Sequence, residues 1–343
     1  MHDQFLEALL AIANVRLLAA YTDEGLGFDG NSMQVFIPDL HLVSDARRAD
    51  FDYGTNYDKT LLVSVAGVLR NFKGAASAAG QSFNVFHIGD YLDLWREVPP
   101  AALDSTVPDK IKHDHRPLTD ILEDDALNTG FLLGNHDFEL YRFVGYNTWA
   151  RRFFLPGDDP SIVAMHGDYF DWVEREVPEA LRDIAVFYFG PSHQAGDALV
   201  GQMRDLSVQC MHADYSQFIQ LAQPAIFGSL LPEGGDVPVN YNLQQPGAPG
   251  ATTAGLLFLD KAFAACVQAN AASDTKLRMA IIGHTHHARI AVQPMPDGTP
   301  FALVDIGAWI ENCSEQDGGP AMPNAQITAL SANQVRIYQL APR

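Results

Sequence analysis

A chain of 343 residues, 47% hydrophobic and 19% charged, has the composition of a soluble folded protein, with material for one large domain and a sizeable insertion. Its formal net charge of −20 disfavours nucleic acid and anionic membranes as partners, and no stretch reaches the length of a membrane span. Three scattered cysteines, Cys210, Cys266 and Cys313, exclude a disulfide framework or a zinc ribbon and read as reduced thiols of a cytoplasmic protein.

The N-terminal stretch "MHDQFLEALLAIANVRLLAAY" opens on His2 and Asp3, not on a basic segment, and Glu7 and Arg16 interrupt its apolar run. It reads as an amphipathic helix with Leu6, Leu9, Leu10 and Ile12 or Asn14 along one side, not as a signal peptide. "MQVFIPDLH" is a short apolar strand that ends in polar residues. In "KTLLVSVAGVLRNF", Leu61, Leu62, Val65, Val68 and Leu69 recur at helical spacing. "FNVFHIGDYLDLW", "TGFLLGNHDFEL", "SIVAMHGDYF" and "RMAIIGHTHH" then share one design: an apolar β-like run stops at Gly or Asp and polar residues follow. "RIAVQP", "FALVDIGAW", "AQITAL" and "QVRIYQL" read as consecutive strands near the C-terminus. Two segments break the rhythm: a polar excursion over residues 96–128 and a long, largely helical insertion over about 171–277 with a Gly/Pro-rich stretch.

Strands alternating with helices early, and strands alone late, predict an α/β fold: a four-layer α/β/β/α sandwich of two mixed sheets with flanking helices. The whole chain, 1–343, is read as one domain, with the insertion as a cap. Chemistry in such sheets collects beyond the carboxyl ends of the strands. There stand Asp39-Leu40-His41, Gly89-Asp90, Gly134-Asn135-His136-Asp137, His166-Gly167 and Gly283-His284-Thr285-His286. Oxygen and imidazole donors without thiolate suit manganese, iron or zinc, and the candidates exceed what one ion needs, so two ions with a shared ligand are implied. Glycine before Asp90, Asn135 and His284 provides unusual dihedrals and close backbone approach. The single residue between the ligands of Asp-x-His and His-x-His lets both side chains leave an extended backbone on one side.

The ordered set "DLH … GD … GNHD … HG … GHTH" resembles the calcineurin-like metallophosphoesterase superfamily, over about residues 33–311 apart from the two excursions. The resemblance implies that Asp39, His41 and His286 hold one metal, that Asn135, His166 and His284 hold the other, and that Asp90 bridges them. The metals would be two divalent or trivalent ions, manganese first, with iron or zinc as alternatives. A hydroxide between them would be the nucleophile, His136 would contact phosphate or protonate the leaving oxygen, and Asp137 would orient His136 through its other ring nitrogen. "DLHL", "GDYLDLW", "GNHDFEL", "HGD" and "VDIGAWIENC" are most similar to UDP-2,3-diacylglucosamine diphosphatase-like phosphoesterases, whose substrate is a diphosphate in a lipid-linked nucleotide sugar. His136 stands where many members with that activity carry Arg, and the insertion is longer than their usual cap. The implied partner is a small-molecule or lipid-linked phosphate: a phosphodiester, phosphomonoester or diphosphate. A nuclease, a protein phosphatase and a non-catalytic scaffold are the alternatives.

The remaining polar residues have plainer readings. His87 alternates away from Asp90 and is expected as a hydrogen-bonded core histidine, and His287 points away from the metals. His113 and His115 are expected in a solvated polar loop, and Arg47 and Arg48 as exposed. Asp93 and Trp95 could cap and pack a helix start as readily as touch substrate; His193 or His212 could in principle replace His166.

Overall fold

The computed structural model describes residues 1–45, 59–94, 105–134, 136–137, 140, 153–167, 262–263, 266–267, 270, 276–309 and 325–343. Asn135, Arg47, Arg48, Trp95, His193, His212, Cys210, Cys313 and nearly all of the 171–277 insertion lie outside these residues.

The elements in chain order are α1 (His2–Leu10), β1 (Asn14–Thr22), β2 (Ser32–Ile37), α2 (Lys59–Ala78), β3 (Ser82–Ile88), α3 (Thr106–Asp114), α4 (Arg116–Leu122) and β4 (Gly130–Leu132). There follow β5 (Phe153–Phe154), β6 (Ile162–Met165), β7 (Met279–Ile282), β8 (Arg289–Pro294), β9 (Pro300–Asp305), β10 (Gln326–Ser331) and β11 (Gln334–Ala341). They build a mixed α/β structure with two mixed sheets, of order β1-β11-β10-β2-β3-β4 and β5-β6-β7-β9-β8. Within them β2, β3 and β4 run parallel, as do β6, β7 and β9. No described helix is long and apolar enough to cross a membrane.

The two-residue period of a strand sorts the apolar residues into separate cores. Met33, Val35 and Ile37 of β2 and Phe83 and Val85 of β3 join Leu62, Val65 and Leu69 of α2 in one buried cluster. Phe36 and Ile88, on the opposite face, join Ile162, Met279, Ile281 and Val304 from the second sheet. Ala280 and Ile282 of β7 and Phe301 and Leu303 of β9 pack with Ala262, Phe263 and Cys266 in a third. A strand that feeds two cores has no polar face, which is why β7 is an unbroken apolar run, whereas β2 carries Ser32 and buried Gln34 beside Phe36, with Gln34 bonded to Ser32 and Asn84.

The structure corrects the reading of the N-terminal stretch. Helix α1 stops at Leu10 and buries Phe5 and Leu9, while Leu10 is 41% exposed. Residues 14–22 form β1, an edge strand antiparallel to β11. A register shift between Leu17 and Ala19 breaks its alternation and leaves Leu17 52% exposed, so the strand period is hidden in the sequence. In the 96–128 excursion, residues 106–122 are two short helices that bury Ile111, Leu118 and Leu122 against the α2 side of the first sheet.

Ile281 is fully buried where both sheets contribute, so Ile281→Ala is expected to cost about 2–5 kcal/mol in urea unfolding, whereas exposed Leu17→Ala should stay within about 0.5 kcal/mol. Equal costs at the two positions would contradict this division between core and edge.

Candidate metal centre

The parallel strands of both sheets deliver their carboxyl ends to one place. Asp39 follows β2, Asp90 follows β3, Gly134 follows β4, His166 follows β6, the 283–287 loop follows β7 and Asp305 closes β9. Main-chain bonds fix these ends to one another. Leu40 N–H and His41 N–H both donate to the Asp90 carbonyl at 3.0 and 2.9 Å, and Gly283 N–H donates to the His166 carbonyl at 2.9 Å. Asp39 bridges Ala308 beyond β9, and Trp309 N–H donates to the Asp39 carbonyl at 2.9 Å, so the first sheet's ligand strand is tied to the second sheet's tail.

The side chains converge accordingly. Asp39, His41 and His286, the set expected for one metal, lie with their donor atoms within 4.8 Å of one another. His286 Nε2 is 3.3 Å from Asp39 Oδ2, and His41 Nε2 is 3.1 Å from His286 Nε2. Asp90 occupies the shared position: its Oδ2 is 3.4 Å from His41 Nε2 and 3.2 Å from His166 Nε2. Asp39 and Asp90 also group with His166, and His41 and Asp90 with His136. The His284 ring lies 5.2 Å from that of His166, and the main-chain N–H of His284 donates to Asp39 Oδ2 at 2.9 Å. Asn135 lies outside the described residues.

These residues suit a cation better than they suit one another. His41 and His286 direct ring nitrogens at each other, and buried Asp39 Oδ1 has no hydrogen-bond partner. Burial lowers His41 to about 4 and His286 to about 3, so near neutral pH both offer neutral lone pairs. Burial pushes Asp39 up to about 6. For Asp90 burial acts in the same upward direction, but the imidazoles of His166, His136 and His41 outweigh it and hold the carboxyl well below its usual range. The second nitrogens of two rings are anchored away from the centre: His41 Nδ1 on Asp93 Oδ2 at 3.0 Å, and His166 Nδ1 on the Ile88 carbonyl at 3.0 Å. Such outer partners fix ring orientation and leave Nε2 facing inward.

The backbone explanation offered by the sequence needs correction. His41 (φ 45°), Asp90 (φ 53°), His284 (φ 69°) and His286 (φ 59°) are left-handed, not extended, so strand alternation does not account for the directions of their side chains. Such non-glycine residues cost about 1–3 kcal/mol each and persist where their surroundings overdetermine them. The glycines act chiefly through close approach to other site residues. A Cβ on Gly134 would fall under 3.0 Å from the Asp90 carboxylate and its backbone nitrogen; one on Gly283 would do so with Asp39 Oδ1. Gly89 combines both needs, with φ at 104° and the His166 ring against its Cα.

A second correction concerns His136. Its Nδ1 lies 3.0 Å from Asp93 Oδ1, not on Asp137. The Asp137 carboxylate instead accepts from Tyr91 N–H at 2.8 Å and Gly134 N–H at 2.7 Å, which ties β4's end to β3's. Burial, reinforced by the charge of Asp90, raises Asp137 to about 7 despite those two bonds. Fully buried Asp93 therefore holds both His41 and His136, whose rings meet edge to face at 4.6 Å. The signal for Asp93 in the sequence is a lone carboxylate in the apolar "YLDLW", three residues past Asp90.

Other histidines also settle. His87 is a core histidine, buried against Tyr91 and Phe131, and burial lowers it to about 3. His113 is exposed, but His115 is buried and bonded through Nε2 to the Val43 carbonyl at 2.7 Å, which corrects the solvated-loop expectation. Neither His284 nor His287 is in the candidate metal groups among the described residues. Two buried polar residues, Asp305 and Gln326, were not anticipated. Gln326 Oε1 accepts from Ala308 N–H at 3.0 Å and so supports the segment bridged to Asp39. No protein-family model and no curated protein matches the chain.

The exchanged roles of Asp93 and Asp137 can be separated by measurement. Asp137→Ala leaves two buried N–H groups without acceptors and should cost roughly 1–3 kcal/mol of stability for each. Asp93→Ala should instead weaken divalent-metal affinity about 10–100-fold, as loss of an outer partner of a ligand does. Unfolding curves and metal titrations of both variants check this, and the reverse pattern would restore the assignment made from sequence.

Proposed function

We propose that the chain is a metal-dependent hydrolase of phosphate esters with a binuclear centre. The observation that carries this reading is the convergence on Asp90 of His41 from one strand end and His166 from another, beside the close Asp39, His41 and His286 set. Asp39, His41 and His286 would hold one ion, His166, His284 and Asn135 the other, and Asp90 both. When bound, the ions would supply positive charge for the phosphate oxygens and lower the pKa of a water between them. Manganese is the first candidate, with iron or zinc as alternatives. Asp93 orients His136 through Nδ1, so Nε2 is the atom that would give its proton to the leaving oxygen. His41, held by the same carboxylate, keeps its own Nε2 towards the centre.

The finer fold reading belongs to this proposal: helices outside each of two facing sheets, in four layers. It is supported by the three buried clusters, one drawing on both sheets and two on a sheet with helical residues. The 171–277 insertion is proposed as a cap that selects a small-molecule or lipid-linked phosphate, and the setting as cytoplasmic. The net charge of −20 weighs against nucleic acid.

Metal analysis of protein saturated with Mn²⁺ should approach about two ions per chain, the number used by two-metal phosphoesterases. Asp90→Ala should lose both, and a wild-type stoichiometry that stays at one or below would rule out the binuclear reading. On aryl phosphates, aryl phosphodiesters and UDP-sugars, His136→Ala should keep its metals and lose about 10²–10⁴-fold in kcat, least for a nitrophenolate leaving group. Loss of metal together with activity would make His136 a ligand.

A further inference from the structure

Resting on the metal-centre reading above, we infer that the Thr285 hydroxyl and the buried Asp305 carboxylate form a latch that shapes the two-histidine loop before any ion binds. His284 and His286 are both left-handed, with Thr285 between them. Without a constraint this geometry is disfavoured for residues bearing a Cβ. The hydroxyl of Thr285 donates to Asp305 Oδ2 and accepts from His287 N–H at 3.3 Å, while Thr285 N–H donates to the Gly283 carbonyl at 2.8 Å. One side chain thus holds the middle of the loop from both directions.

Asp305 is a rigid anchor. It closes β9, it is completely buried, and Ile306 N–H beside it donates to the Ile282 carbonyl of β7 at 2.9 Å. Its charge is faced by Arg289, the first residue of β8, whose Nε lies 3.3 Å from Oδ2 as an ion pair without hydrogen-bond geometry. The guanidinium thus leaves Oδ2 to the hydroxyl and cancels charge without competing for the bond. Asp305 is in none of the candidate metal groups among the described residues. Thr285 and Asp305 act through the histidines and are positioning residues. The latch makes His284 and His286 diverge, one towards His166 and one towards His41 and Asp39.

The test compares wild type with Thr285→Ser, which keeps the hydroxyl, and Thr285→Val, which keeps the shape without it; Thr285→Ala is a second hydroxyl-free variant. Calorimetric titration of the metal-free chains with Mn²⁺ should show about 10–100-fold weaker binding for the Val and Ala variants and near-native binding for Ser. In metal-free protein labelled at histidine, carbon shifts at positions 284 and 286 should report positive φ in wild type and the Ser variant, and lose it in Val and Ala. Native Mn²⁺ affinity in the Val variant, or a Ser variant as weak as Val, overturns the latch. Wild-type protein that takes up no divalent ion removes the metallohydrolase reading instead, and the histidine shifts still decide whether the hydroxyl shapes the loop.

Discussion

The Asp90 carboxylate is the contact around which the two sheets are organised. It is buried, within 3.4 Å of imidazoles from two strand ends, and it accepts His136 main-chain N–H through Oδ1 at 2.9 Å. Its own carbonyl accepts from Leu40 and His41, so the residue fixes the ligand segment after β2 through both main chain and side chain. Gly134 must be glycine because this carboxylate fills the space where a Cβ would stand. Replacing one hub atom would therefore disturb ligands that come from different sheets.

Burying carboxylates in a chain of net charge −20 is electrostatically unfavourable, and the structure shows how the imbalance is distributed. Asp90 is compensated by surrounding imidazoles, Asp305 by Arg289 and the Thr285 hydroxyl, and Asp137 by two main-chain N–H groups. Asp39 is less well provided: Oδ2 accepts His284 N–H, but Oδ1 has no hydrogen bond. Asp305 shares this gap, since its Oδ1 has no hydrogen bond either.

Much of this was legible in the sequence because the two periodicities involved are local. Apolar runs that end at Gly or Asp marked the strands whose ends now converge, and the spacing of Leu61, Leu62, Val65 and Leu69 marked α2. Strand β1 was hidden because its bulge shifts the alternation, and α3 and α4 because Pro, Asp and His dominate a segment whose few apolar residues are the buried ones. The partner of His136 could not be read from adjacency. Asp137 is its neighbour in the chain, yet main-chain N–H groups claim that carboxylate, and Asp93 arrives from another strand end. Likewise the one-residue spacing in His-x-His was visible, whereas the left-handed backbone that directs the rings depends on Asp305, 19 residues beyond His286.

Four of the candidate ligands sit in left-handed backbone. A glycine at 41, 90, 284 or 286 would adopt the same conformation without steric cost, and would at the same time delete a donor atom from a crowded polar cluster. The relief is opposed by the bonds that are lost: at 90 the acceptor of His136 N–H, and at 41 the ring held by Asp93. Holding four polar side chains in this backbone is a cost in folding free energy that the cluster itself incurs.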